Sequence, residues 1–176
     1  ALITADGASL FFTSRRPPKV GAKVNKNTQE YFEDVYSSDL VGGDWTAAEA
    51  IAPPVNTIGN EAFPFLGSDG TLYFAEFSTA RTDARVIRAI TPDGRISTIS
   101  GSWRTGFSGD GGPAEAARYY FIRDIAVHPD GSLYIADDLN HRLRRIRTDG
   151  IVETVAGTGL EADYVEGEAA IASPLY

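Results

Sequence analysis

The side chains that most often carry catalysis or hold metals are scarce in this chain. His128 and His141 are its two histidines, and it has no cysteine. A site of three histidines, one common arrangement for catalytic zinc, cannot be assembled within one chain. Thiol nucleophiles, thiolate metal sites and disulfides are excluded as well. We expect both histidines to pack or hydrogen-bond locally, and we predict that the chain is not an enzyme.

One acidic pair is the best candidate for a cation site. Asp137 and Asp138, with Asn140, could present oxygen ligands to calcium, which needs six to eight of them. Their spacing is not that of an EF-hand loop, and Asx side chains often accept backbone hydrogen bonds at turns. We therefore expect structural roles for Asp137 and for Asp110 and no cofactor, with calcium at Asp137 and Asp138 as the alternative.

Two groups of basic residues are candidates for binding a partner. They are Arg142 and Arg144 in a strand pattern, and Arg15, Arg16, Lys19 and Lys23 in a polar loop. Alternation along a strand sends neighbouring arginines to opposite faces, and no aromatic residues that would stack on RNA bases are interleaved with them. Salt bridges are the alternative role of the first group. The second group lies in a loop, and loops on rigid scaffolds commonly carry function.

The composition favours a globular all-β domain. With 176 residues, of which 43% are hydrophobic, the chain can bury a core. Its 18 glycines and nine prolines fall in short clusters without a long helical periodicity, which favours short strands joined by turns. The formal net charge of −8 argues against nucleic acid and anionic membrane surfaces as partners. No apolar run is long enough to predict a membrane span.

A repeated phrase predicts how the strands are arranged. It reads ADGASLFFTS, SDGTLYFAE and PDGSLYIAD, with its aspartates at Asp6, Asp69 and Asp130. An Asp-Gly turn followed by aromatic and β-branched residues is typical of a hairpin. A second hairpin pattern follows each phrase, with Gly42 and Gly43 at the turn in the first unit. Two hairpins make a four-stranded antiparallel sheet, and the period exceeds the roughly 40 to 50 residues of common blade repeats.

The last full unit resembles an NHL repeat over about residues 107–159. The matching features are its GDGGPA, DGSLYIAD and VAGTG segments and a DxxNHRxR turn. The resemblance implies a structural turn at Asp137, Asn140, His141 and Arg142. About residues 1–80 instead resemble the TolB-like variety of WD repeat, with DGASLFFTSRR and the second repeated phrase. The middle unit lacks the Asn-His pair, so the NHL turn roles are not extended to it.

These resemblances imply a β-propeller of four-stranded antiparallel blades. We predict about three blades, at approximately 1–55, 56–101 and 102–159, with 160–176 beginning a further blade. Propellers typically have four to eight blades, and both resembled families commonly have six. We therefore expect half of a six-bladed ring, which is completed by a second copy of the chain or by further blades of a longer one.

Function is predicted here from analogy of fold, and three hypotheses stay open. The first is a non-catalytic binding or scaffold module for a protein, peptide or glycan. The second is a propeller enzyme of the lyase or lactonase kind with a metal in its central channel. The third is a structural component of an envelope or extracellular assembly that joins its neighbours by strand addition. We expect a periplasmic, cell-envelope or extracellular location.

Overall fold

The computed structural model describes residues 2–4, 6–14, 33–53, 55–56, 60–77, 85–163 and 166–175. Short 3-10 helices form at Ala114–Ala116 and Asp138–Asn140. The other regular elements are strands: β1 (Leu2–Ile3), β2 (Ser9–Ser14), β3 (Asp34–Val41), β4 (Asp44–Trp45), β5 (Glu49–Ala50), β6 (Asn60–Leu66), β7 (Leu72–Phe77), β8 (Arg85–Ile90), β9 (Ile96–Ser100), β10 (Ile122–Val127), β11 (Leu133–Asp137), β12 (Arg142–Ile146) and β13 (Val152–Ala156).

The strands form three antiparallel sheets that follow one another along the chain. β6 to β9 make the second sheet and β10 to β13 the third, each in simple sequential order. In the first sheet, β4 and β5 both pair with β3, so the outer strand is interrupted. At the interruption, the Thr46 amide still donates to the Asp39 carbonyl at 2.9 Å. This architecture confirms the predicted all-β fold class of propeller blades.

Each repeated Asp-Gly phrase forms the turn between the first two strands of its sheet. The aspartate accepts a hydrogen bond from the amide two residues later, at 3.0 Å for Asp6, 3.0 Å for Asp69 and 2.8 Å for Asp130. The following glycine has a φ between 72° and 91° in all three turns, a region that glycine enters without steric cost. The repeated dipeptide therefore encodes a repeated local structure.

The sheets pack face to face in chain order, and β6 contributes to both junctions. β6 contacts β2 and β3 of the first sheet and β10 of the third. One core cluster, including Phe74 and Val35, lies between the first two sheets, and a larger one, including Ile87 and Ile135, joins the second and third. Apolar burial between faces is thus the main force that holds neighbouring sheets together.

Arg85 of β8 fastens the second sheet to the third. Its guanidinium carbon lies 3.8 Å from the ring centre of Phe77 and 3.7 Å from that of Phe121. The same guanidinium donates to the Ile122 carbonyl at 2.9 Å. A guanidinium between two aromatic faces, away from water, is a favourable cation–π arrangement. The contact fixes the backbone at the start of β10.

The segment that connects two sheets also has a repeated structure. The Gly101 amide, just after β9, donates to the Ala114 carbonyl at 3.1 Å, and the Gly157 amide, just after β13, donates to the Ala170 carbonyl at 2.9 Å. A Cβ at Gly101 would lie 2.6 Å from the Arg85 carbonyl oxygen, and one at Gly157 would lie 2.2 Å from that of His141. Both positions need glycine, because backbone passes too close for any side chain.

The turn aspartates make stability depend on acid pH. Hydrogen bonds from the Ser132 amide and hydroxyl, and then from His128, lower the pKa of Asp130 to about 2 from 3.8. This stabilisation is complete above the unfolded pKa and is lost as the pH falls from about 4 to about 2. Asp130→Asn keeps the acceptor oxygen and removes the charge, so we expect a shallower loss of stability over this interval. Urea denaturation at stepped pH measures it.

The matched control is Asp163→Asn, which removes one exposed carboxylate outside the hairpin turns. We expect its stability to follow the unsubstituted chain across the same interval. Identical pH profiles for the two variants would contradict a special role for the turn.

Candidate functional site

The NHL-like unit is organised around the buried carboxylate of Asp137, at the end of β11. One oxygen accepts the Tyr120 amide at 2.8 Å, and the other accepts the Asn140 amide nitrogen at 2.8 Å. Burial raises the pKa of the Asp137 carboxyl, although the hydrogen bonds from Asn140 and Tyr120 and the charge of Arg144 oppose that rise. Asp137 thus connects the end of β11 to the segment before β10.

Arg144 of β12 is fully buried beside this carboxylate. Its guanidinium lies 3.3 Å from Asp137 and 2.7 Å from Asp110, and it donates to the Ser108 carbonyl at 3.1 Å. Asp110 in turn accepts the Thr154 hydroxyl of β13 at 2.7 Å. The Arg144 side chain is fully buried, whereas 36% of the Asp110 side chain is exposed, and a binding role for Arg144 stays a prediction. In this arrangement Arg144 joins the SGDGG segment to the sheet.

The second sheet has a smaller version of the same pair. Arg88 of β8 lies 2.7 Å from Glu76 of β7, and donates to the Thr98 hydroxyl of β9 at 2.8 Å. These side chains are partly exposed, with 26% of Arg88 and 17% of Glu76 accessible, whereas Arg144 and Asp137 have none. The pair therefore occurs in both the second and the third sheet, and it is enclosed in the third.

The predicted structural turn lies at the same end of the third sheet. The Asn140 side chain also donates to the Gly106 carbonyl at 3.0 Å. His141 adopts the left-handed conformation, with φ 49° and ψ 48°. Arg142 donates to the Thr158 carbonyl at 2.7 Å and lies 3.8 Å over the Phe107 ring. All four predicted turn residues are thus brought together, whereas a binding role for Arg142 stays a prediction.

The predicted cation site is divided by the structure. The Asp137 carboxylate faces Asn140 and Arg144, while Asp138 pairs with Arg123 at 2.8 Å. Among the described residues, no group of three or more His, Asp or Glu side chains is arranged to hold a metal ion. His128 lies 3.0 Å from Asp130 in its own hairpin turn. The predicted binding residues Arg15, Arg16, Lys19 and Lys23 lie outside the described residues.

A cavity of about 560 Å³ opens where the first turns of the three sheets converge. Its walls combine apolar side chains of the first strands with turn residues. The lining residues are Ile3, Thr4, Asp6, Phe65, Leu66, Gly67, Ser68, Gly70, Val127, His128 and Pro129. Because β1, β6 and β10 all end here, the cavity lies on the side toward which the inner strands of the three sheets converge.

Sequence reasoning missed an exposed apolar surface at the opposite end of the third sheet. Phe107, Tyr120 and Leu139 are 42%, 37% and 45% exposed. The Leu139 amide donates to the Tyr120 carbonyl at 3.0 Å, and the Gly106 carbonyl, next to Phe107, accepts the Asn140 side chain at 3.0 Å. These residues lie in three separate segments without a common motif, so only the fold makes the surface visible.

Three successive antiparallel sheets that pack face to face define the described part of this chain as a set of β-propeller blades. A family model, that of the teneurin NHL domain, matches residues 51–147. Because the match covers more than half of the chain, the chain belongs to the teneurin NHL domain family. The predicted NHL-type repeat is confirmed, and the TolB-like character of the first unit stays a prediction.

Curated relatives agree with this family assignment, and a solved structure agrees with the fold. Teneurin-1 of Mus musculus is 37% identical over 87 residues, and Teneurin-1 of Homo sapiens is 36% identical over 87 residues. Both matches cover 44% of this chain and 3% of the relative, so the chain corresponds to a small part of those proteins. A protein of unknown function from Bacteroides thetaiotaomicron superimposes with a TM-score of 0.53 at 18% identity, over 98% of this chain and 50% of that one. This last likeness concerns the fold.

Replacement of Arg144 tests the network of buried charges that it forms with Asp137 and Asp110. Arg144→Met leaves the Asp137 and Asp110 carboxylates without their counter-ion, so we expect the free energy of unfolding to fall by about 3–5 kcal/mol. Arg88→Met, in the more exposed equivalent pair, is the matched control and should cost about 1 kcal/mol or less. Urea denaturation followed by fluorescence compares the two. Equal losses would show that enclosure of the pair is unimportant.

The left-handed turn gives a second test of local structure. His141→Val places a β-branched residue at positive φ, so we expect a loss of about 1–2 kcal/mol in the free energy of unfolding. His141→Asn should leave stability nearly unchanged, since asparagine tolerates this conformation. Thermal unfolding of both variants makes the comparison. If the two lose the same amount, the contacts of the imidazole matter more than the backbone conformation.

Proposed function

We propose that this chain is a non-catalytic binding module for a protein partner. The observation that carries the proposal is where the charged and the apolar side chains of the chain lie. Arg144, Asp137 and Asp110 are engaged with one another inside the NHL-like unit, whereas the connections between strands display large apolar side chains to solvent. Buried ion pairs fix a scaffold, and its surface connections are then free to recognise a partner.

Membership of the teneurin NHL domain family supports this proposal. Within the described residues, no helix has the length and apolar character needed to cross a membrane. We propose an extracellular or cell-envelope setting for the protein. A glycan partner is the alternative that the experiment below must separate from a protein partner.

We also propose that residues 160–176 begin a further blade. The described part of this segment repeats the structure that precedes β10, down to matching bonds. The Ala172 amide donates to the Ala169 carbonyl at 2.8 Å, as the Ala116 amide does to the Pro113 carbonyl at 3.0 Å. The remaining strands of that blade would come from a longer chain or from a second copy of this one. The predicted blade boundaries and six-bladed ring stay predictions.

Selection of binding peptides from a random library tests the proposed binding function. The immobilised chain is exposed to a displayed library of twelve-residue peptides, and the enriched sequences are synthesised and titrated by biolayer interferometry. We expect saturable binding of a shared sequence type, with micromolar or tighter affinity. Retention on a glycan array without any peptide enrichment would replace the protein partner by a carbohydrate. Turnover of a lactone substrate by purified protein would overturn the non-catalytic assignment.

A further inference from the structure

A compact surface at the junction of the second and third sheets combines exposed aromatic groups with arginines. We call it the aromatic–arginine surface and define it by Arg104, Phe107, Arg118, Tyr120 and Leu139. Two backbone bridges and one hydrogen bond from a side chain hold its parts together. Thr105 bridges Tyr119, Ser108 bridges Arg118, and the Gly106 carbonyl accepts the Asn140 side chain at 3.0 Å. The surface is therefore made by three segments of the third unit that contact one another.

Side-chain directions on this surface follow from the buried Tyr119. Its hydroxyl lies 2.6 Å from that of Ser100, and burial raises its pKa to about 12. Successive side chains of extended backbone point to opposite sides. Arg118 and Tyr120, on either side of Tyr119, therefore point away from the core, with Arg118 half-buried and Tyr120 37% exposed. The Phe107 ring lies beside them in the adjoining segment, with Arg142 stacked on it at 3.8 Å.

The arginines of this surface differ from the others that the structure describes. Elsewhere an accessible guanidinium has a carboxylate partner, as in the pairs Arg88–Glu76, Arg95–Asp93, Arg123–Asp138, Arg145–Glu153 and Arg147–Asp149. Arg104 and Arg118 form no ion pair with a described residue. Arg142 donates to the carbonyls of Asn140 and Thr158 and to no carboxylate. Three arginines in or beside this surface thus lack a carboxylate partner among the described residues, although the chain has a net charge of −8.

We infer that the aromatic–arginine surface binds a short acidic segment of the protein partner, with apolar side chains interspersed. The inference rests on the proposed binding function and assigns it a place and a partner chemistry. Aromatic residues and arginine are the types enriched where interfaces concentrate binding energy. A guanidinium without an internal partner can form a bidentate pair with a carboxylate of the ligand. Phe107, Tyr120 and Leu139 would receive the apolar side chains.

An acidic peptide fits this surface better than a nucleic acid does. Single-stranded nucleic acids need a positive groove that follows the backbone, and their affinity depends on the number of phosphates neutralised. This group of arginines is small and belongs to a strongly acidic chain. A few carboxylates of a peptide can be paired here without bringing a long polyanion against the remaining negative charge.

The test uses synthetic twelve-residue peptides of fixed leucine and phenylalanine content, in which the other positions are glutamate, glutamine or lysine. Fluorescence polarisation with the full chain should give the tightest binding for the glutamate series. Affinity should fall as salt is raised, since charge pairs at the rim of an interface are screened. Equal binding of the glutamine or lysine series would overturn the acidic preference while leaving the binding function intact.

Paired substitutions locate the site. Arg104→Glu with Arg118→Glu should weaken binding of the glutamate peptide by about tenfold or more. Arg95→Glu with Arg147→Glu makes the same change of charge in turns at the other end of the sheets and is the matched control, expected to lose much less. Tyr120→Ser should lower affinity by about tenfold through lost apolar contact. Thermal unfolding of each variant verifies that the fold is kept.

Three results separate the possible failures. If the surface pair and the control pair weaken binding equally, peptides bind elsewhere and this surface is not the site. If twelve-residue polyuridine displaces the glutamate peptide and binds more tightly, the ligand class is nucleic acid and the inference is wrong. If no peptide of any series or of the random library binds, the proposed function itself fails.

Discussion

The Arg144 guanidinium is held between two carboxylates that come from different segments of the third unit. Asp110 belongs to the connection that precedes the sheet, and Asp137 ends its second strand. A buried arginine is costly to leave unpaired, so the connection and the sheet must form together. The turn, the outward path of residues 118–120 and the position of Phe107 all depend on this constraint.

The local structure of turns and hairpins was the part of the fold that could be predicted from the sequence. Asp-Gly followed by alternating apolar residues is sufficient to specify a hairpin, and the three repeated phrases all form one. The structural role of Asp137 was also predictable, because an Asx residue at a turn has few alternatives. The interruption between β4 and β5 was not, since Gly42-Gly43 specifies the turn but not how far the pairing beyond it continues.

Long-range pairing explains what the sequence did not reveal. The alternation of the arginines in β12 could be anticipated, but which face is enclosed depends on Asp110, in a segment far earlier in the chain. The aromatic–arginine surface was missed for the same reason, because Phe107, Tyr120 and Leu139 meet only after the connection has packed on the sheet. No periodicity links such residues, so no pattern search could group them.

The repeated bond of Gly101 to Ala114 and of Gly157 to Ala170 bears on how such a protein could be built up by duplication. The second and third sheets are each bonded, through the glycine that follows their last strand, to the segment that comes next in the chain. A unit that runs from the end of one such glycine to the next, roughly 102–157, carries both kinds of partner: the Ala114 carbonyl, which accepts from the glycine of the preceding sheet, and Gly157, which donates to the following segment. Grafted or exchanged blades cut in this frame can therefore form the bond at each of their two junctions.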